Sequence, residues 1–570
     1  MQPRPVFSSL EALESRIAPA VIKIGAMSLD PQFPDAPPEN PDDTEYVESN
    51  PSPNQVRFFV DTSSPGTNPA DIAISSALDS PLTTNTFFLR LEAGDQVQAF
   101  SQSNSYQPLI IVSKGNVIAF FVDYNGNNEY DNNELTGLSL GKNAEVTVTS
   151  SVRGDIVSNL DEKGTANLSD DTLDLNGLVS QNQKIKRLSI TGGGVFGNEL
   201  ADGLTDYGKV LSGGDIKSLT IAGAVGSVLA ASAANGATYD FFPDRYNFDT
   251  MTTQLQPGGN GTISFTPDPG TKGGSIQNAN IQGVVDSIGA GSGGLGASGG
   301  ALKNIQITAD SDGFALFAGA GGAGDSSKNG KGGTGGTTKN IYIAGVVDNT
   351  PNGMQLLPER VLVSAGDGGD ASGAKSGGKG GVASNIFVGY QLSNGKVVST
   401  GDLLADRVFI SAGAGGAGAK AGTGGNAQNI NLRTITPDVD GEDELSIVAG
   451  AGGANTTDGG KAGKGGSLMG IDARNQVLSD GSDLLIQAGD GGVTTGTSAG
   501  AKGGSVTGAT LLGFDMQVLA GNGSEGGKPG SGGNIKNLGI VRDDAILARD
   551  VVVNAGQGGA ATQASGGNGG

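Results

Sequence analysis

The chain has 570 residues, no cysteine, no histidine and a formal charge of −23. Disulfides, thiolate metal sites, cysteine nucleophiles and imidazole proton shuttles are excluded, which leaves Asp and Glu, with Lys and Tyr, for acid and base work. The acidic balance repels nucleic acid, so no nucleic-acid partner is expected, and no apolar run reaches the ~18 residues of a membrane-spanning helix.

Residues 1–29 form the first unit. Ser8 and Glu11 have the spacing of a capping box, and Leu10, Leu13 and Ile17 follow at helical intervals, which predicts one short amphipathic helix ending near Pro19. The basic start and apolar stretch of an ordinary secretory signal are missing. Leu13-Glu14, Arg16 and Pro19-Ala20 resemble the LEPR-XLL type N-terminal motif of large secreted or surface proteins of planctomycetes and related bacteria, with Ser15 in place of the motif's proline. That resemblance implies export, and hence an extracellular or cell-surface location. Residues 30–54 are rich in Pro and acid with little to bury, and read as an extended, disordered linker.

Residues 55–184 carry ordinary strand patterns: "QVRFFV", "TFFLRL", "DQVQAF", "PLIIV", "VIAFFV" and "AEVTVTS", separated by turn clusters. They predict a small β-sandwich, and their order resembles the jelly-roll domains appended to secreted bacterial proteins. Within it, "DYNGNNEYDNNEL" places Asp123, Asn125, Asn127, Asp131 and Glu134 at positions 1, 3, 5, 9 and 12 of a calcium-type loop. Glu129 at position 7 would add its backbone carbonyl. Strand-like segments flank the loop where an EF-hand has helices, an arrangement similar to calcium loops in repeat domains of bacterial surface proteins. Asn128 stands where glycine is usual and Tyr130 where a smaller apolar residue is usual; asparagine still tolerates positive φ. One structural Ca2+ is therefore expected, and it is the sole cofactor expected.

Residues 185–570 are a repeat. Only 10 glycines lie in residues 1–190, and 90 follow. The phrase strand-Ala-Gly-x-Gly recurs with its alanine at Ala318, Ala365, Ala412, Ala449, Ala488, Ala520 and Ala555, at spacings of 47, 47, 37, 39, 32 and 35 residues. A second phrase, "GGTGGTTKNIYIAG", recurs between them. Units with two short strands and few aromatics cannot bury enough surface alone and must stack. The prediction is an all-β chain: the β-sandwich followed by a glycine-rich parallel β-solenoid (β-helix) of about eight to ten coils and about 40 to 50 Å. Asp367, Asp370 and Asp490 do not keep the phase of calcium-binding nonapeptide repeats. The sequence stops inside a glycine stretch where another strand is due, so the array is expected to be part of a longer one.

Two function classes fit. The first is a non-catalytic secreted or cell-surface structural, adhesin-like protein, with surface polysaccharide or other surface proteins as partners. The alternative is a β-helix polysaccharide lyase or glycoside hydrolase. The solenoid has no Trp, few Tyr and scattered Lys, which favours the first.

Overall fold

The computed structural model describes residues 93–100, 106–122, 135–158, 184–199, 205–230, 269–308, 313–344, 360–541 and 550–561 with breaks of a few residues, and isolated short strands outside these ranges. The helix expected over residues 8–20 and the calcium-type loop lie outside the described residues. So does most of the 30–54 stretch, but Thr44–Tyr46 is a strand paired antiparallel with Phe59–Asp61.

The glycine-rich part is a parallel β-solenoid. Each coil gives one strand to a first sheet and the next strand to a second, so neighbours in a sheet come from successive coils and pair in parallel. From Arg187 to Asn554 this makes ten coils, within the expected number. In the first sheet Leu302–Ile307, Thr338–Ile343, Ala383–Val388 and Ala427–Thr436 stack in strict register. In the second, Phe314–Phe317, Arg360–Ser364, Arg407–Ser411 and Glu444–Val448 do the same. Alternate residues point inward, as the two-residue strand period dictates. Ile341, Ile343, Val361 and Val363 of one coil are buried, and Ile386, Val388, Val408 and Ile410 repeat them in the next. Each such side chain contributes about 1.5–3 kcal/mol on burial, so the stack rather than the single coil is the stable unit.

Among the described residues the N-terminal strands run into the solenoid sheets, and a separate sandwich is not seen. Five of the six expected strands are present, and only Phe59–Asp61 is described at the end of the first; they pair antiparallel, but Glu145–Val148 pairs antiparallel with Tyr106–Lys114 on one side and parallel with Arg187–Ile190 on the other. Likewise Leu135–Leu140 joins Val117–Val122 antiparallel and Ile156–Ser158 parallel. The two antiparallel layers are thus the leading edges of the two solenoid sheets, and one apolar core runs from Leu91 to Val518. Among the described residues no break in the sheets marks residue 184. Physically, the antiparallel strands cover the first parallel strands, whose hydrogen-bonding edges would otherwise be open.

Two features of the coils were not anticipated. Eight first-sheet strands between residues 276 and 540 each have a residue in the left-handed region at one register position: Asn278, Asn304, Asn340, Asn385, Asn429, Gly470, Gly508 and Asn537, with φ of 51 to 68°. Nδ2 of Asn304 donates to Oδ1 of Asn278, and Asn340, Asn385 and Asn429 continue the ladder, each bond being 2.8 Å.

The glycine stretches, expected as loops, are extended rods. In residues 331–337 and again in 461–466 exposure repeats every three residues, side chain out and then two glycines or small residues turned in. Three residues per turn without internal hydrogen bonds is the geometry of polyproline II. Between Ala318 and Asn534 each coil has two such rods, one following the second-sheet strand and one preceding the first-sheet strand, and they face each other mostly through glycine. The amide of Gly333 donates to the Gly322 carbonyl at 2.7 Å, Gly369 to Gly333 at 2.8 Å, and Gly378 to Gly369 at 2.8 Å, continuing up the stack. Gly333 and Gly378 lie outside the left-handed region; they are glycine because a Cβ would overlap the carbonyl of the preceding coil. Where the column has Ala501, its amide turns to the Ser524 hydroxyl, 2.7 Å away. The molecule therefore has two joined cores, one of aliphatic side chains and one of peptide groups.

Candidate functional site

The calcium-type loop is the candidate with ligand chemistry written in its sequence. The positions Asp123, Asn125, Asn127, Glu129, Asp131 and Glu134 themselves lie outside the described residues. The flanks are described: Val117–Val122 and Leu135–Leu140 are antiparallel neighbours with Phe121 opposite Leu135. The loop thus closes a hairpin, and its ends are held together by the sheet. Among the described residues no group of three or more Asp or Glu side chains is placed to hold a metal ion.

Asp367, Asp370 and Asp490 have another role. Their carboxylates accept the backbone amides of Ala414, Ala417 and Asn522, each at 2.6 Å in the following coil. Asp458 similarly accepts the amide and hydroxyl of Thr497, both at 2.9 Å, and these bonds hold its carboxyl below the usual carboxylate range. These acids tie coil to coil.

The second candidate is a basic surface. A groove of about 760 Å³ near the start of the solenoid is lined by Lys142, Lys184, Lys217, Lys272 and Lys303, with Asp215 as its acidic member. Lys217 Nζ lies 2.7 Å from Asp215 Oδ2, and Asp215 Oδ1 accepts the Ser275 amide at 2.8 Å. Beside the groove, Lys186 donates to Glu145, whose carboxyl it holds below its usual range. Arg187 adds a longer contact of 3.8 Å to the same carboxylate. The folded pKa of Glu145 being depressed, this pair stabilises the fold above the ordinary carboxylate range and is lost as pH falls through it.

The lysines that read as scattered along the sequence are sorted by the coil register. The rod preceding each first-sheet strand, over residues 330–337, 374–382, 419–426, 460–467, 498–505 and 527–534, holds Lys331, Lys375, Lys379, Lys420, Lys461, Lys464, Lys502 and Lys528, all exposed, and no acid. The other rod and its turn, over the same six coils, hold Asp325, Asp367, Asp370, Asp458, Asp490 and Glu525 against Lys328. Lys420 and Lys461 are bridge partners in adjacent coils. Next to them, the Gly424 amide binds the Lys464 carbonyl and the Gly465 amide that of Lys502, so Thr423, Lys464 and Lys502 form a parallel column. Sequence reasoning missed this face because coil spacing varies, so a fixed period does not reveal it; the lysine in Gly-x-Gly-Gly triplets was the available signal.

No protein-family model, curated protein or solved structure matches the chain.

Proposed function

We propose that the chain is a non-catalytic scaffold of the cell surface or extracellular space: a rigid β-solenoid carrying a calcium-braced hairpin at its N-terminal end. The observation behind this reading is the uninterrupted parallel stack from Glu145 to Asn554, in which aliphatic core, asparagine ladder and glycine rods all serve coil-to-coil cohesion. At roughly 4.8 Å per coil the stack is about 50 Å long. The LEPR-XLL-like residues Leu13-Glu14, Arg16 and Pro19-Ala20 support export, and a calcium-rich exterior suits a loop with two asparagines among its ligands.

The test uses the whole chain, because Glu145–Val148 and Ile156–Ser158 need solenoid partners. Calorimetric titration with Ca2+ is expected to give one site, a raised melting temperature, and loss of both in Asp123→Ala with Glu134→Ala. No heat and no shift would remove the calcium brace. Release of unsaturated or reducing sugar ends from a polysaccharide panel would replace the scaffold reading by an enzymatic one.

A further inference from the structure

The charge sorting has a consequence for what the solenoid can hold. In the second rod Lys420 stacks on Lys461 and Lys464 on Lys502 at the strand spacing, and among the described residues none of the eight lysines' ammonium groups makes an ion pair. Like charges in adjacent register repel. On a chain of −23, a surface that collects cations without internal partners is built for an external anion.

We infer that this face binds a linear carboxylate-bearing polysaccharide lying along the stack, with Lys420, Lys461, Lys464 and Lys502 as its central contacts and the Lys142–Lys303 groove as its N-terminal continuation. The assignment rests on the scaffold reading above. A pyranose repeats on the length scale of the coil-to-coil spacing, roughly 4.8 Å, so neighbouring carboxylates meet Lys420 with Lys461 and Lys464 with Lys502. Thr423, in the column between Lys379 and Lys464, is small and polar, suited to a sugar hydroxyl. A nucleic acid fits less well: the net charge opposes it, and the rods present no aromatic ring on which a base could stack. A second copy offering its acidic rod also fits less well, since Asp367, Asp370, Asp458 and Asp490 are engaged with backbone amides of their own stack.

The experiment is affinity electrophoresis of the full-length chain through gels containing polygalacturonate, neutral dextran or duplex DNA, at low and high salt. Polygalacturonate alone is expected to retard the protein, less so as salt screens the contacts. Binding should weaken about tenfold or more when Lys420, Lys461, Lys464 and Lys502 are all changed to Gln. Those side chains are exposed, so the variant should keep its circular dichroism; Lys461→Glu gives a second reading with a single change. Equal retardation of wild type and both variants, retardation by DNA alone, or salt-sensitive self-association without polygalacturonate binding would each overturn the inference. Cleavage of bound polygalacturonate would sink the scaffold reading and leave the binding face standing, whereas neither binding nor cleavage would sink the inference alone.

Discussion

Asn385 shows how one side chain can hold a repeat together. It occupies the left-handed region at φ 54°, donates to Asn340 and accepts from Asn429. Replacement by alanine adds the strain of a left-handed Cβ, about 1–2 kcal/mol, to the loss of ladder bonds worth about 1 kcal/mol. Replacement by glycine removes the strain and keeps only the second loss, as the chain itself does at Gly470 and Gly508. Asn385→Ala is therefore expected to cost about 2–3 kcal/mol and Asn385→Gly about 1, measured by native-state hydrogen exchange of the adjoining strands. Equal costs would mean that the ladder bonds alone matter. The sequence carried this signal in the Asn-Ile step of "KNIYI", "SNIFV" and "QNINL", yet those segments alternate as strands and a backbone bend leaves no mark on hydrophobic pattern.

At the level of elements, the strands were legible because Val, Ile and Leu alternate, and the Ala-Gly phrase located the end of each second-sheet strand. The rods were not, since glycine is ordinarily the residue of turns and the close approach of two backbones is a tertiary fact. The distinction is testable. Gly378 sits between rods where a Cβ would overlap the Gly333 carbonyl, whereas Gly395, at φ 73° in the hairpin of Tyr390–Ser393 and Lys396–Ser399, has open space around it. Gly378→Ala is expected to destabilise by about 3 kcal/mol or more and Gly395→Ala by about 1–2, in chemical denaturation. If both cost the same, glycine in the rods is serving conformational freedom rather than contact. The calcium-type loop was legible by spacing alone, and the sheet adds only the closed hairpin on which it sits.

Across the whole molecule, composition changes near residue 185, and strand pairing runs across that change. Aromatic and aliphatic strands form the antiparallel cap, glycine-rich ones the coils, and Val146, Leu188 and Leu219 still stack in one register. Composition records what each layer is made of, whereas strand pairing depends on backbone edges that any sequence can offer. The fold class could be read from the chain; the continuity could not.

The peptide core between the rods also bears on how stability should vary with temperature. Heat capacity rises on unfolding where apolar surface is exposed and falls where peptide groups are. Opening the rods hydrates amides and carbonyls and almost no side chain. The heat-capacity increment of the whole chain should therefore fall below the usual ~12–15 cal/mol/K per residue, and scanning calorimetry that returned the ordinary value would show the rods to be loose in solution. A small increment flattens the stability curve. Such a solenoid would hold its shape nearly as well in cold water as in warm, a tolerance set by the backbone bonds of glycine.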